Sequence, residues 1–68
     1  MFFNLKKRYL VVGSEFGQED LNLERFKARS DWAAKKIFLS YWSKYSCFDL
    51  TLYRVTFFGN MIYIANND

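Results

Sequence analysis

The stretch that decides the fold is residues 30–45, which read SDWAAKKIFLSYWSKY. Ser30 can accept a hydrogen bond from an amide one turn later, as an N-cap does, and Asp31 places a negative charge at the positive end of the helix dipole. At about 100° per residue, one face of such a helix is apolar. Its members are Ala34, Ile37, Phe38, Tyr41 and Tyr45. The pattern predicts an amphipathic helix from Ser30 to Tyr45 that packs through this face.

Two large apolar residues of this helix do not belong to the packing face. Trp32 and Leu39 lie on its flank and back, and Lys35 lies between them. Because a small two-layer domain buries one stripe of its helix, we expect both side chains to be at least partly exposed. A loop, the N-terminal segment or a second copy of the chain can cover them, or they can form a stripe that binds a partner, since Trp is enriched in binding hot spots.

The composition limits the chemistry that the chain can perform. A length of 68 residues predicts a single domain, residues 1–68, and the 22% of aromatic residues compensates for the short length. The absence of His and the single cysteine argue against a metal-dependent or thiol-dependent enzyme. We therefore expect no catalytic residues, no metal site and no cofactor. Cys47 is expected to be a small buried apolar residue at the helix exit.

The charge and the terminal sequence bear on location and partners. The first residues do not form a secretory signal, and no segment is long enough to span a bilayer. We therefore expect a cytoplasmic protein without a membrane partner. The formal charge of +3 permits a nucleic acid or an acidic protein as partner without requiring either.

Two strands are predicted before the helix. The first, Tyr9–Gly13, is apolar on both faces and is therefore expected inside the sheet. A turn is expected over residues 13–20, with Gly17 at a positive φ. The second strand is Leu21–Arg29. Leu23 is out of phase with Phe26 in its period-two alternation, which predicts a bulge near Glu24–Arg25 or a strand that starts there.

Two more strands are predicted after the helix. Phe48–Phe58 and Met61–Ala65 are rich in β-branched and aromatic residues, and Gly-Asn at 59–60 between them is typical of a two-residue hairpin. Such a loop would pair Phe58 with Met61 and Val55 with Ile64. The last three residues are expected to form a polar tail.

Together these elements predict an α+β fold, a four-stranded antiparallel sheet with one helix across one face (ββαββ). The helix should cover Tyr53, Val55, Phe57, Ile62 and Ile64. The uncovered sheet face should carry Arg25, Lys27, Arg29, Arg54, Phe58, Met61 and Tyr63. Aromatic rings between cations are typical of platforms for single-stranded nucleic acid. The same residue types are enriched in protein interfaces, or two copies could meet there in a homodimer. A solvated face with scattered apolar residues is the remaining alternative.

Three segments resemble a plan found in small bacteriophage proteins. They are FKARSDWAAK (residues 26–35), Cys-Phe (47–48) and TLYRV (51–55). In that plan a strand ends in an Ala-x-Ser/Thr helix cap, and a strand of the type Phe-x-x-Thr-x-x-Arg-Val follows the helix. Small phage inhibitors of host RNA polymerase and some small anti-CRISPR proteins are similar in this respect. The resemblance implies a stoichiometric binder without catalytic residues that occludes a host surface.

The first functional hypothesis is therefore a non-catalytic, phage-encoded protein that inhibits a host protein or nucleoprotein complex in the host cytoplasm by occluding its surface. The alternative is a module that binds nucleic acid through the uncovered sheet face. The candidate binding residues are Trp32, Lys35, Leu39, Arg25, Lys27, Arg29, Arg54 and Tyr63.

Overall fold

The computed structural model of the chain describes residues 6–15 and 20–67. The described elements are strand β1 (Lys7–Ser14), strand β2 (Leu21–Ala28), helix α1 (Asp31–Ser40), strand β3 (Asp49–Val55) and strand β4 (Met61–Asn66). The helix lies between β2 and β3 only. The expected α+β class, with a four-stranded antiparallel sheet and one helix, is confirmed. The prediction for Gly17 concerns a position outside the described residues.

The sheet has the strand order β2-β1-β3-β4, and all neighbouring strands are antiparallel. The interior position expected for the first strand is confirmed, because β1 is bonded on both sides and Leu10, Val11 and Val12 are all buried. In the β1–β2 ladder Val11 faces Glu24 and Val12 faces Asn22. The extra residue on β2 forms a bulge directly before the predicted position.

The core lies between α1 and one face of the sheet. Its buried members are Tyr9, Val11, Ala28, Ala34, Phe38, Leu50 and Leu52. Ala34 and Phe38 belong to the predicted packing face of the helix, and the remaining predicted members, Ile37, Tyr41 and Tyr45, are half-buried against the core.

The helix begins as predicted but ends earlier. The Ser30 hydroxyl accepts the amide of Ala33 at 3.1 Å, so Ser30 is the N-cap. The helix ends at Ser40, five residues before the predicted end at Tyr45. The amides of Tyr41 and Trp42 donate to carbonyls only three residues back, which tightens the last turn. Residues 41–47 continue as turns.

The early end of α1 also overturns the prediction for Cys47. Its thiol was expected to be buried at the helix exit, but Cys47 is exposed. The chain has already left the helix at this point, and the next residue to return to the core is Phe48, which packs half-buried against it. The expectation of a polar tail is wrong at Asn67, whose side chain accepts the amide of Leu50 at 3.1 Å and donates to the carbonyl of Phe48 at 3.2 Å.

The predicted register of the β3–β4 hairpin is wrong. Val55 faces Met61 rather than Ile64, and residues 56–60 form the connection. Thr56 closes this loop, since its amide donates to the carbonyl of Asn60 at 2.8 Å and its carbonyl accepts the amide of Gly59 at 2.9 Å. The Thr56 hydroxyl accepts the amide of Asn60 at 3.0 Å. The predicted strand residues Phe57 and Phe58 therefore lie in the loop.

The faces of β3 are likewise the reverse of the prediction. Leu50 and Leu52 are buried beneath the helix, and Arg54 follows them on that side with its side chain bonded to Asp31. Tyr53 and Val55, which were expected beneath the helix, point to the opposite face. The two buried leucines decide this orientation, because a strand shows alternate residues to alternate faces.

Candidate binding surfaces

Two polar contacts join the helix and the turn that follows it to the sheet. The first of them engages Arg54, one of the predicted binding residues. The Tyr9 hydroxyl donates to Asp31 Oδ1 at 2.7 Å, and Arg54 Nη1 lies 3.1 and 3.2 Å from the two Asp31 oxygens. The hydrogen bond from Tyr9 and the charges of Arg54 and Lys7 hold the pKa of Asp31 below its usual value. The pKa of Tyr9 is raised to about 12, chiefly because the hydroxyl is buried and also because it is bonded to the negatively charged Asp31. Arg54 therefore lies on the helix side of the sheet, paired with Asp31, and not on the uncovered sheet face as predicted.

The second contact joins the turn after α1 to β2. Lys44 Nζ donates to Glu24 Oε2 at 2.8 Å, and the Tyr45 hydroxyl donates to the same oxygen. The hydrogen bond from Lys44 lowers the pKa of Glu24 most, and the hydrogen bond from Tyr45 lowers it further. Glu24, which precedes Arg25 on β2, is thus engaged on the helix side of the sheet.

The sheet face away from the helix, which we call the open face, is built from three rows of directly opposed residues. The first row contains Arg25, Leu10, Tyr53 and Tyr63; the second contains Lys27, Arg8, Val55 and Met61; the third contains Asn22, Val12, Thr51 and Asn66. Directly opposed residues of an antiparallel sheet share a face, so each row crosses all four strands. None of these twelve residues is acidic.

The cations of the open face are concentrated on β1 and β2. Arg8 lies directly opposite Lys27, and Arg25 lies two residues before Lys27 on the same strand. The side chains of Arg25 and Lys27 form no hydrogen bond or ion pair with any described residue. Like charges in directly opposed positions destabilise a sheet, by about 0.2–1 kcal/mol per pair. The fold therefore keeps a positive strip whose members repel one another.

Aromatic and apolar side chains form the other half of the open face. Tyr53 and Tyr63 are neighbours on β3 and β4, with ring centroids 6.5 Å apart and an interplanar angle of 79°. A groove of about 560 Å³ crosses this face, and its walls include Arg8, Leu10, Arg25, Lys27, Val55 and Met61. A ligand in the groove would contact cations on one wall and apolar side chains on the other.

The hairpin loop, residues 56–60, projects beyond the second row. Phe57 and Phe58 are 88% and 86% exposed, and their ring centroids are 5.3 Å apart. Arg8 reaches the loop, since its Nη2 donates to the carbonyl of Thr56 at 2.9 Å. The cationic strip and the two exposed rings are therefore adjacent.

The outer side of the helix carries a third exposed surface. Trp32 is 69% exposed and Leu39 is 53% exposed, in agreement with the expected exposure of both. Lys36 Nζ lies 4.5 Å from the centroid of the Trp32 ring, which is within cation–π distance. Lys35 is exposed on the same helix. This surface, which we call the helix stripe, is separated from the open face by the thickness of the sheet.

The predicted site residues thus fall in different places. Trp32, Lys35 and Leu39 are on the helix stripe; Arg25, Lys27 and Tyr63 are on the open face; Arg54 is bound to Asp31; and Arg29 lies one residue past the end of β2. The sequence interpretation missed Arg8, Tyr53 and Phe57. Period-two alternation from Leu10 backwards would have found Arg8, whereas Tyr53 and Phe57 depended on the β3 register.

Over the described ranges, 6–15 and 20–67, no group of three or more metal-binding side chains occurs, and no helix is long and apolar enough to cross a membrane. No protein-family model, curated protein or solved structure matches the chain.

Proposed function

We propose that this chain is a small non-catalytic binding protein whose open face binds single-stranded nucleic acid, free or within a nucleoprotein complex. The observation that supports this most is the direct opposition of Arg8 and Lys27, with Arg25 in the adjacent row. A phosphate between opposed cations turns their repulsion into a shared attraction. None of the three rows contains an acidic residue. Asp49, the acidic residue of β3 on this side of the sheet, lies opposite Ser14, at the end of the strand away from Arg8 and Lys27.

The tyrosines supply the second half of such a site. Proteins that bind single strands combine a positive groove with aromatic rings on which bases stack. Tyr63 lies on the edge strand β4 and Tyr53 on the neighbouring strand β3, in the same row as Arg25, with Leu10 between Tyr53 and Arg25. The face therefore offers phosphate contacts along β1 and β2 and base contacts along β3 and β4.

The test is fluorescence anisotropy with a labelled oligo-dT over a range of salt concentrations. We expect binding at micromolar protein and a logarithmic salt slope of about −0.7 per phosphate contact. Lys27→Gln should weaken binding and make the slope shallower by about 0.7. Lys35→Gln removes the same charge from the helix stripe and should change neither quantity. Absence of binding, or an equal loss in both variants, would overturn the proposal.

A second function, occlusion of a host protein surface, is favoured by the exposure of Trp32. The exposed Trp32 ring, which lies within cation–π distance of Lys36, is a suitable anchor for a protein partner. The phage origin and the inhibitory role implied by the resemblance remain proposals within this function, as does the host cytoplasm as its location. A host protein retained on the immobilised wild type and on Lys27→Gln, but lost with Trp32→Ala, would support this function over the first. Equal retention by Trp32→Ala would count against it.

Homodimer formation also remains a proposal. The open face and the helix stripe are exposed surfaces through which copies could meet. Analytical ultracentrifugation of the wild type beside Trp32→Ala and Tyr63→Ala tests it. A dimer weakened by one substitution would locate the interface, and a monomer at every concentration would refute the dimer.

A further inference from the structure

The hairpin loop displays two phenylalanines that contribute nothing to the core. Phe57 and Phe58 are the most exposed of the large apolar side chains described in the structure. Neither belongs to the core cluster or to the residues packed against it. Contiguous exposed apolar patches on small domains mark interaction sites.

The loop holds these rings in a defined position. Thr56 forms three hydrogen bonds that close the loop, two with Asn60 and one with Gly59. Arg8 adds a fourth hydrogen bond, to the Thr56 carbonyl. Gly59 has a φ of 88°, which a residue with a side chain rarely adopts. A loop closed in this way loses little conformational freedom when its rings meet a ligand.

Positive charge surrounds the base of the loop. A cleft of about 490 Å³ there is lined by Lys6, Lys7, Arg8, Lys27, Arg54, Val55, Thr56 and Phe57. Five of these residues are cationic and, in the part of the chain that the structure describes, no acidic residue lines the cleft. Arg54 is paired with Asp31, so four of the five cations remain for an anionic ligand.

We propose that the hairpin loop is the base-stacking element of the nucleic-acid site, with bases stacked on Phe57 or Phe58 and phosphates held by Arg8 and Lys27. The inference rests on the proposed function and names the residues that read the bases. It differs from that proposal in placing the strongest stacking contact in the loop, beyond the sheet, instead of on Tyr53 and Tyr63.

The arrangement of the cations favours a nucleic-acid strand over an anionic lipid surface. From the loop they continue onto the open face, first as the Arg8–Lys27 row and then as Arg25. Residues two apart on a strand are separated by about 7 Å, so the charges follow a line. The phosphates of a nucleic-acid strand can follow such a line of cations. A lipid surface is instead contacted best by cations that lie at the same depth around the inserted rings.

The experiment compares two ligands and three proteins. The ligands are oligo-dT and a strand of the same length with abasic sites, which keeps the phosphates and lacks the bases. The proteins are the wild type, the double variant Phe57→Ala/Phe58→Ala, and Leu39→Ala, which removes an exposed apolar side chain from the helix stripe. Thermal melts serve as the control that each variant is folded, which we expect for substitutions at exposed positions.

The double variant should bind oligo-dT about 5–150-fold more weakly than the wild type, which corresponds to one stacked base. Its affinity for the abasic strand and its salt slope should be unchanged, and Leu39→Ala should match the wild type on both ligands. If the wild type binds oligo-dT and the double variant binds it equally well, the loop inference is wrong while the proposed function stands.

Two other outcomes overturn both statements. If no protein binds either strand, the proposed function fails and the loop inference fails with it. If vesicles of phosphatidylcholine with phosphatidylserine retain the wild type but not the double variant, and neither strand binds, the loop is a lipid contact.

Discussion

Replacing Asp31 with Ala tests whether the contact between the helix start and the sheet stabilises the fold. The Tyr9 hydroxyl belongs to a residue that is 1% exposed, and without Asp31 it loses its acceptor. A buried donor left without an acceptor costs about 1–3 kcal/mol. The ion pair with Arg54, whose side chains are 27% and 40% exposed, adds about 0.2–1 kcal/mol, and the lost charge at the helix start about 0.3–1 kcal/mol.

We therefore expect Asp31→Ala to lower the free energy of unfolding by about 1.5–5 kcal/mol, a large part of the stability of a domain this small. The assay is urea denaturation of wild type, Asp31→Ala, Tyr9→Phe and the double variant. In the Tyr9→Phe background no donor is left unpaired, so Asp31→Ala should cost about 1–3 kcal/mol less. Equal costs in the two backgrounds, within about 0.5 kcal/mol, would refute the hydrogen-bond argument.

The contribution of Asp31 to the unfolding free energy should change in a defined direction as the pH is lowered. The pKa of Asp31 is lower in the folded protein than its ordinary value, so its contribution is complete above about pH 4 and is lost as the pH falls through the folded pKa. The difference in unfolding free energy between wild type and Asp31→Ala should therefore shrink in acid. A difference that does not change between pH 7 and acid would mean that the charge of Asp31 is not the source of its effect.

Three further predictions concern other parts of the molecule. Phe38→Ala should cost about 3–5 kcal/mol because Phe38 is buried in the core, whereas Trp32→Ala should cost under about 1 kcal/mol; equal losses in thermal melts would place Trp32 in the core. Because the pKa of Tyr9 is raised from 10.0 to about 12, its contribution is present below pH 10 and lost towards pH 12. Alkaline denaturation should show a smaller loss over this range in Tyr9→Phe. Gly59→Ala should destabilise the hairpin by about 1–2 kcal/mol through its positive φ, since no atom lies within 4 Å of the new methyl group; no change in the melt would contradict this.

The local features of the fold were predictable from the sequence. The cap at Ser30 and the spacing of Ala34 and Phe38 identified the helix and its buried side, and the apolar run before Gly13 identified the central strand. These features depend on neighbours along the chain, which periodicity describes well. The exposure of Trp32 and Leu39 followed from the same helical spacing.

The hairpin register depended on contacts that periodicity does not describe. Gly-Asn at 59–60 and the β-rich run before it favoured a two-residue loop, but the hydroxyl and backbone of Thr56 close a longer one. Because the faces of β3 were assigned by the same argument, Arg54 was placed on the wrong side of the sheet. Its true partner, Asp31, is 23 residues away in sequence, and no local pattern indicates such a pairing.

The most direct test of the account is a ¹H–¹⁵N NMR titration of the folded protein with oligo-dT. It reports at each backbone amide whether the strand contacts the open face, the hairpin loop or the helix stripe. We predict shifts at Arg8, Arg25, Lys27, Tyr53, Phe57 and Phe58, with little change at Trp32 and Leu39. Shifts confined to the helix stripe, or no shifts at saturating oligonucleotide, would contradict the assignment of the open face as a nucleic-acid site.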